Sequence, residues 1–459
     1  MGNRLTILFI SAATMALADA PAKSINPVVE KIVTQVSSER IAAIERKLES
    51  FETRNIYSPT DDPKHGIGAA REWIAEQFRS YSPRLQVSFD KHRVKGQPKL
   101  RFNKDVELWN VVAVLPGTAE PEREVMISAH YDSIHMVFKT NDQGRRVLDA
   151  EATASATAPG VTDDGSGTAA VMELARIMSQ YSFRKTIVFV AFAGEEYGLL
   201  GSSLYAEDAR QRNDLIEGVL NNDIIGSDEK ENGWRSDQYV NVYSEDPNDS
   251  ASRELARYVK EAAARYVPGF DANLVFRHDR FGRGGDHSPF NALGFAAVRI
   301  TTPYENYSHQ HTATDTFENT SPQYAALVTE VNAAALASLA LAPKTPVPAQ
   351  PPLAPGRSFA LALGRGVSAS GHDGNDAVLA WKNDKPEADL AGYVVLMRRT
   401  SAPTWETEIF VGNVNEYTLK NVNIDEVVLG VRAVDREGNE SLVAPYVTNP
   451  YSYRKIETY

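Results

Sequence analysis

Residues 186–193 read Thr-Ile-Val-Phe-Val-Ala-Phe-Ala, an uncharged run with no alternation of polar and apolar side chains, and Gly194, Glu195 and Glu196 follow it. Such a run is a strand buried on both faces, which a soluble protein supplies only inside a sheet covered by helices on either side. Residues 109–115 and 125–129 read the same way. Helical spacing separates these runs: Ile41, Ile44, Leu48 and Phe51 mark one amphipathic helix, Trp73, Ile74 and Phe78 another, and residues 169–178 and 253–266 two more. The alternation predicts an α/β unit over residues 27–342, a mostly parallel mixed sheet sandwiched by helices.

Six prolines, at 343, 346, 348, 351, 352 and 355, then break all periodicity, so residues 343–356 read as a semi-rigid linker. Beyond it, residues 377–381, 392–398, 408–411 and 427–433 are β-type runs separated by turn-rich segments, as in an all-β sandwich. Trp381, Tyr393, the strand 431–435 and the Gly438-Asn439-Glu440-Ser441 turn resemble a fibronectin type III module. An immunoglobulin-like, fibronectin type III-like sandwich is therefore expected over residues 357–449.

The first twenty residues have the form of a signal peptide. Arg4 is the basic start, residues 5–17 are mostly apolar and too few to span a bilayer, and Ala18-Asp19-Ala20 is a small-x-small cleavage site. Export is the expectation, with no membrane span after cleavage. The chain has no cysteine, which excludes disulfides, thiolate metal sites and cysteine nucleophiles, and points to a bacterial periplasm or the extracellular medium. With 48 basic and 60 acidic residues the net charge is -12, so no nucleic-acid partner is expected.

In an open α/β sheet ligands bind beyond the carboxyl ends of the strands, and polar clusters fall there. They are His130 with Asp132, Asp163 with Asp164, Glu195 with Glu196, Asp223, and His309 with His311. Each has an ordinary explanation alone: Asp-Gly-Ser turns and caps, glutamates at a helix start. Together they make a set of imidazole and carboxylate donors suited to zinc, in which one carboxylate can bridge two ions. Asp132 is spaced to accept from the second ring nitrogen of His130. No HExxH zinc-protease helix and no G-x-S-x-G elbow occur.

These motifs, with Asp163-Asp164-Gly165-Ser166-Gly167, residues 193–202, residues 222–226, residues 285–290 and His311-Thr312-x-x-Asp315-Thr316, resemble the co-catalytic dizinc aminopeptidases of peptidase family M28, whose relatives include glutamate carboxypeptidases. The resemblance covers roughly residues 40–340 and implies the zinc-exopeptidase fold and two zinc ions. Asp163 would bridge them, His130 and Asp223 completing one shell and Glu196 and His311 the other. Asp132 would orient His130, and Glu195 would act as general base toward the attacking water. The bond after Asp163 is often cis in this family. The substrates implied are peptides with a free N-terminus. His287 is expected to be structural, while His65, His92, His135, His278 and His372 are given no metal role. Two departures stand out: Gln310 occupies a position where some relatives have an oxyanion-binding Tyr, leaving Tyr304, Tyr307 or Arg299 as substitutes, and residues 133–159 form an insertion beside the site. Arg280, Arg283 and Arg299 keep a carboxypeptidase or dipeptidase open, since such enzymes need cations for the substrate carboxylate. A single-zinc glutaminyl cyclase would not need the complete bridging set. A non-catalytic binding ectodomain is the alternative from outside enzymology.

Overall fold

The computed structural model describes residues 25–97, 103–349, 365–366, 376–422 and 426–446. The signal-peptide expectation, His372 and most of the proline-rich segment lie outside them. Asn26 caps α1 (Pro27–Val33) by accepting the N–H of Val28, and Ser37 caps α2 (Ser38–Glu49) in the same way through Arg40. α3 (Gly66–Tyr81) leads into β1 (Gln86–Val94), β2 (Val106–Leu115) and β3 (Glu120–His130). The insertion is a hairpin, β4 (Phe138–Thr140) with β5 (Arg146–Leu148), followed by α4 (Ala150–Ser155). Next come α5 (Ser166–Met178), β6 (Lys185–Phe192), α6 (Leu200–Arg212), β7 (Leu215–Asn222) and β8 (Tyr239–Ser244). The unit closes with α7 (Ala251–Tyr266), β9 (Asp271–Val275), α8 (His287–Ala292), β10 (Ala297–Thr301) and α9 (Pro322–Leu341).

Eight of these ten strands, all but β4 and β5, form one sheet in the order β1-β2-β6-β3-β7-β10-β8-β9. Its centre, β6-β3-β7-β10, is parallel throughout; the pairings of β1 with β2, β2 with β6 and β10 with β8 are antiparallel. Every residue of β6 is buried, and its side chains divide as strand geometry requires. Ile187, Phe189 and Ala191 enter the larger core with α2, α3, α5, α7 and α9, while Val188, Val190 and Phe192 pack with Ala206 and Ala209 of α6 and Phe290 of α8. α9 is the one helix among the described residues long and apolar enough to cross a membrane, and most of it is buried in this core.

The C-terminal part holds two four-stranded sheets. β11 (Val347–Ala349), β12 (Arg365–Gly366) and β16 (Glu416–Leu419) pair with β13 (Asp376–Lys382), and β15 (Thr407–Gly412), β14 (Leu390–Arg399), β17 (Val427–Asp435) and β18 (Ala444–Pro445) form the other. Leu379 and Trp381 of the first share a buried cluster with Tyr393, Val395, Leu429 and Val431 of the second. One boundary differs from the sequence reading. Residues 347–349, expected within the linker, form β11, because an edge strand tolerates Pro348 opposite Trp381.

This part is docked on α7. Trp405 Nε1 donates to Glu254 at 3.0 Å, and buried Arg432 contacts Glu261 and Glu408 at 2.8 Å and Glu440 at 3.0 Å. Asn26, ahead of α1, donates from Nδ2 to Oδ1 of Asn439 at 2.8 Å, so the two ends of the described chain are clasped together.

Candidate metal centre

Because β6, β3, β7 and β10 run parallel side by side, their carboxyl ends open on one edge of the sheet. His130 is the last residue of β3, Glu195 and Glu196 follow β6, Asp223 follows β7, and the segment after β10 brings His311. Asp163 and Asp164 sit in a kinked turn before α5, joined by a cis peptide bond. Asp164 ties the turn down: Oδ2 accepts from His130 N at 3.2 Å, and Oδ1 accepts from Gly167 N at 2.9 Å and Ile224 N at 3.2 Å. Gly167 leaves room for this arrangement, since a Cβ there would lie 2.5 Å from that Oδ1 and force the Asp164 carboxylate to move.

The five residues expected to hold metal gather into two triads that share Asp163: His130, Asp163 and Asp223, and Asp163, Glu196 and His311, with donor atoms within 4.8 Å of one another in each. Oδ1 of Asp163 lies 3.2 Å from His130 Nε2, and its Oδ2 lies 3.0 Å from His311 Nε2, which is also 3.0 Å from Glu196 Oε2. Each oxygen of Asp163 therefore serves one triad. His130 Nε2 is buried and makes no hydrogen bond of acceptable geometry. Neutral imidazole and carboxylate oxygens fit zinc, and an unsatisfied ring nitrogen aimed at carboxylates is what a ligand looks like without its ion. Burial lowers the basicity of His311, but Glu196 and Asp163 outweigh it and push the imidazole up to about 11. Against burial, the two histidines hold Asp163 well below the usual carboxylate range.

Asp132 is placed differently from the sequence reading. Nδ1 of His130 faces the Asp132 backbone carbonyl at 3.1 Å and its carboxylate only at 3.6 Å. The carboxylate instead accepts the N–H groups of Glu195 at 3.1 Å and Glu196 at 3.3 Å. Asp132 thus orients His130 chiefly through its main chain and the glutamate pair through its side chain. Burial and the neighbouring Asp223, Glu196 and Asp286 push the Glu195 carboxyl well above its ordinary value, against the pull of His130.

His309 lies outside both triads, with Nδ1 on Thr314 Oγ1 at 2.9 Å. His287 is buried, with Nε2 3.2 Å from the carbonyl of His278. Gln310 Nε2 donates to Asp163 Oδ2 at 2.9 Å. A cavity of about 750 Å³ opens over the centre, lined among others by Met136, Glu195, Tyr197, Leu199, Arg280 and Arg283. Neither Tyr304 nor Tyr307 is part of its wall, and Arg299 lies beneath it, buried against Asp223 at 3.1 Å and Asp279 at 2.9 Å. The insertion reaches the centre: Met136 N donates to the carbonyl of His311 at 3.0 Å.

Three supporting residues escaped the sequence reading. Buried Arg54 donates to the carbonyls of Tyr131 at 2.6 Å and Gly160 at 2.7 Å, joining the two ligand-bearing turns. Asp315, seen only as part of a motif, accepts from Thr162 N at 2.9 Å and Asp163 N at 3.0 Å. Asn110 accepts from Ala193 N at 2.9 Å and donates to the Gly201 carbonyl at 3.1 Å. The only sequence signal for Asn110 was a polar residue inside an apolar strand.

Residues 110–336 match the model of peptidase family M28. The chain is 36% identical over 444 residues to a probable zinc metalloprotease of Leptosphaeria maculans, covering 90% of this chain and 95% of that protein. Among solved structures, the LapA aminopeptidase of Legionella pneumophila superposes with a TM-score of 0.52 at 19% identity, over 71% of this chain and 78% of that one. The glutaminyl cyclase of Porphyromonas gingivalis does so with a TM-score of 0.51 at 20% identity, over 66% and 98%. At these identities the two structures share the fold. The length and level of the match to the fungal protein, together with the family model, establish that this chain belongs to peptidase family M28 and is a zinc metalloprotease.

Proposed function

We propose that the chain is an exported aminopeptidase that uses two zinc ions to remove N-terminal residues from peptides. The observation that carries this reading is Asp163, whose two oxygens each face one complete triad, with the Glu195 carboxyl on the wall of the same cavity. His130, Asp163 and Asp223 would hold one ion, and Asp163, Glu196 and His311 the other. Bound zinc supplies a Lewis acid that polarises the scissile carbonyl and acidifies water. Glu195 takes the proton from the attacking water and passes it to the leaving amine, a role for which a carboxyl with raised basicity suits. Asp132 holds Glu195 in place through its amide. Carboxylates beside the metals, in the wall of the same cavity, would recognise a substrate ammonium, which favours a free N-terminus.

The proline-rich residues 343–356 would join the peptidase unit, residues 27–342, to a fibronectin type III-like accessory sandwich. Residues 1–20 support export to a periplasm or the extracellular medium. A second reading, a carboxypeptidase or dipeptidase, draws on Arg280 and Arg283 in the cavity wall. The test is metal content of the purified protein together with turnover of free and N-acetylated peptides. Two zinc ions with cleavage of free amines alone is the expected result. Indifference to acetylation would favour the second reading, cyclisation of N-terminal glutamine without hydrolysis a cyclase, and no zinc uptake a binding ectodomain.

A further inference from the structure

We propose that Asp90, His92 and Asp208 form a separate divalent-cation site that braces the segment carrying Glu195 and Glu196. Asp90 and His92 are two residues apart on the edge strand β1 and so share a face. Asp208 comes to them from α6, and one donor atom from each of the three lies within 4.8 Å of the others. All three are half-buried. Nothing in the sequence linked them, because β1 and α6 meet only through the fold.

Two carboxylates held this close repel each other unless a cation lies between them. The basic side chain that touches them is His92, which lies 2.9 Å from Asp90 Oδ2 and is a cation only when protonated. Among the described residues Asp208 makes no hydrogen bond or salt bridge, and Arg212, a cation of its helix that feels its charge, pairs with Asp214 at 2.7 Å. Lys91 points to the opposite face of β1, over the Trp109 ring. Within the cluster, His92 Nε2 lies 2.9 Å from Asp90 Oδ2, a contact between two donor atoms that an ion would replace. One imidazole and two carboxylates suit zinc or manganese better than calcium.

The same Asp90 oxygen accepts from Asn110 Nδ2 at 2.8 Å. Asn110 is the side chain that clamps Ala193 and Gly201, closing the loop that contains Glu195 and Glu196. The clamp is tight, for a Cβ on Gly201 would lie 2.3 Å from Asn110 Oδ1. An ion between Asp90 and Asp208 therefore fixes the loop twice, through Asn110 and through α6, which starts where the loop ends.

The test uses the full-length protein stripped of metal and titrated with Zn²⁺, with bound metal counted by elemental analysis. The wild type is expected to bind one ion more than His92→Ala and Asp208→Asn, while His311→Ala keeps the ion that those two lose. Amide hydrogen exchange at Ala193 and Gly201 in zinc-loaded protein is expected to run about tenfold faster in Asp208→Asn than in the wild type. Equal metal content in the wild type and both variants, each folded by circular dichroism, would overturn the site. Loss of the ion with unchanged exchange would overturn the brace.

Discussion

The carboxylate of Asp132 binds the backbone N–H of Glu195 at 3.1 Å, so the residue two places after His130 also fixes the segment that carries the proposed general base. Asp132→Ala removes both this contact and its partner to Glu196 N. The expected outcome is a fall of about 10- to 100-fold in kcat/KM with partial loss of zinc, the range for removing a residue that supports metal ligands. Steady-state kinetics with metal analysis checks it.

Glu195→Gln keeps the shape of the side chain and removes its basicity. Zinc content should remain at the wild-type level while kcat falls by about 10² to 10⁴. Near-normal turnover would remove Glu195 from the mechanism.

His311 and His309 are two residues apart and face different partners: Glu196 and Asp163 in one case, Thr314 in the other. His311→Ala should lose one zinc ion and most activity, whereas His309→Ala should keep its metal. Inductively coupled plasma analysis of the two variants separates them.

The positions of the chemistry were legible because strand ends announce themselves: an apolar run stops and His130, Glu195 or Asp223 follows. The imidazole and carboxylate clusters at those ends were legible for that reason, and the large sheet with them, while their division into two ligand sets came from the likeness to the family's motifs. Arg54, Asn110 and the side-chain role of Asp132 were not legible. They act on backbone groups far away in sequence, and a contact to a carbonyl or N–H leaves no trace in the identity of the residue contacted. The edge strands β1 and β9 were missed because they are half-exposed and only their pairing separates them from loop.

Buried Arg432 is shared among Glu261 on α7, Glu408 on β15 and Glu440 in the segment between β17 and β18. Arg432→Ala removes the cation that these three carboxylates share, while Glu440 keeps Arg265 at 2.8 Å. A loss of about 3 kcal/mol is expected, at the lower end for breaking a buried pair because two of the carboxylates are partly solvated. Urea denaturation measures it. Unchanged stability would mean that the C-terminal sheets are not held on α7 by this cluster.

Burial, with repulsion from Asp214, pushes Glu124 up to about 7 despite the nearby Arg212. A carboxyl raised in the folded state holds a proton there that the unfolded chain has already shed, so stability falls as pH rises from 4.5 to 7. Glu124→Gln abolishes the proton difference. It should gain about 1 kcal/mol over the wild type at pH 8 relative to pH 5, allowing for partial solvent screening. Urea titration of the metal-free protein at both values tests the sign.

The bond between Asn26 and Asn439 sets an order on the making of the protein. A chain emerging from its N-terminus reaches Asn26 first and cannot complete the partner of that residue until nearly the whole polypeptide has been synthesised. The contact that ties the start of α1 to the C-terminal part is therefore among the last that a newly made chain can form.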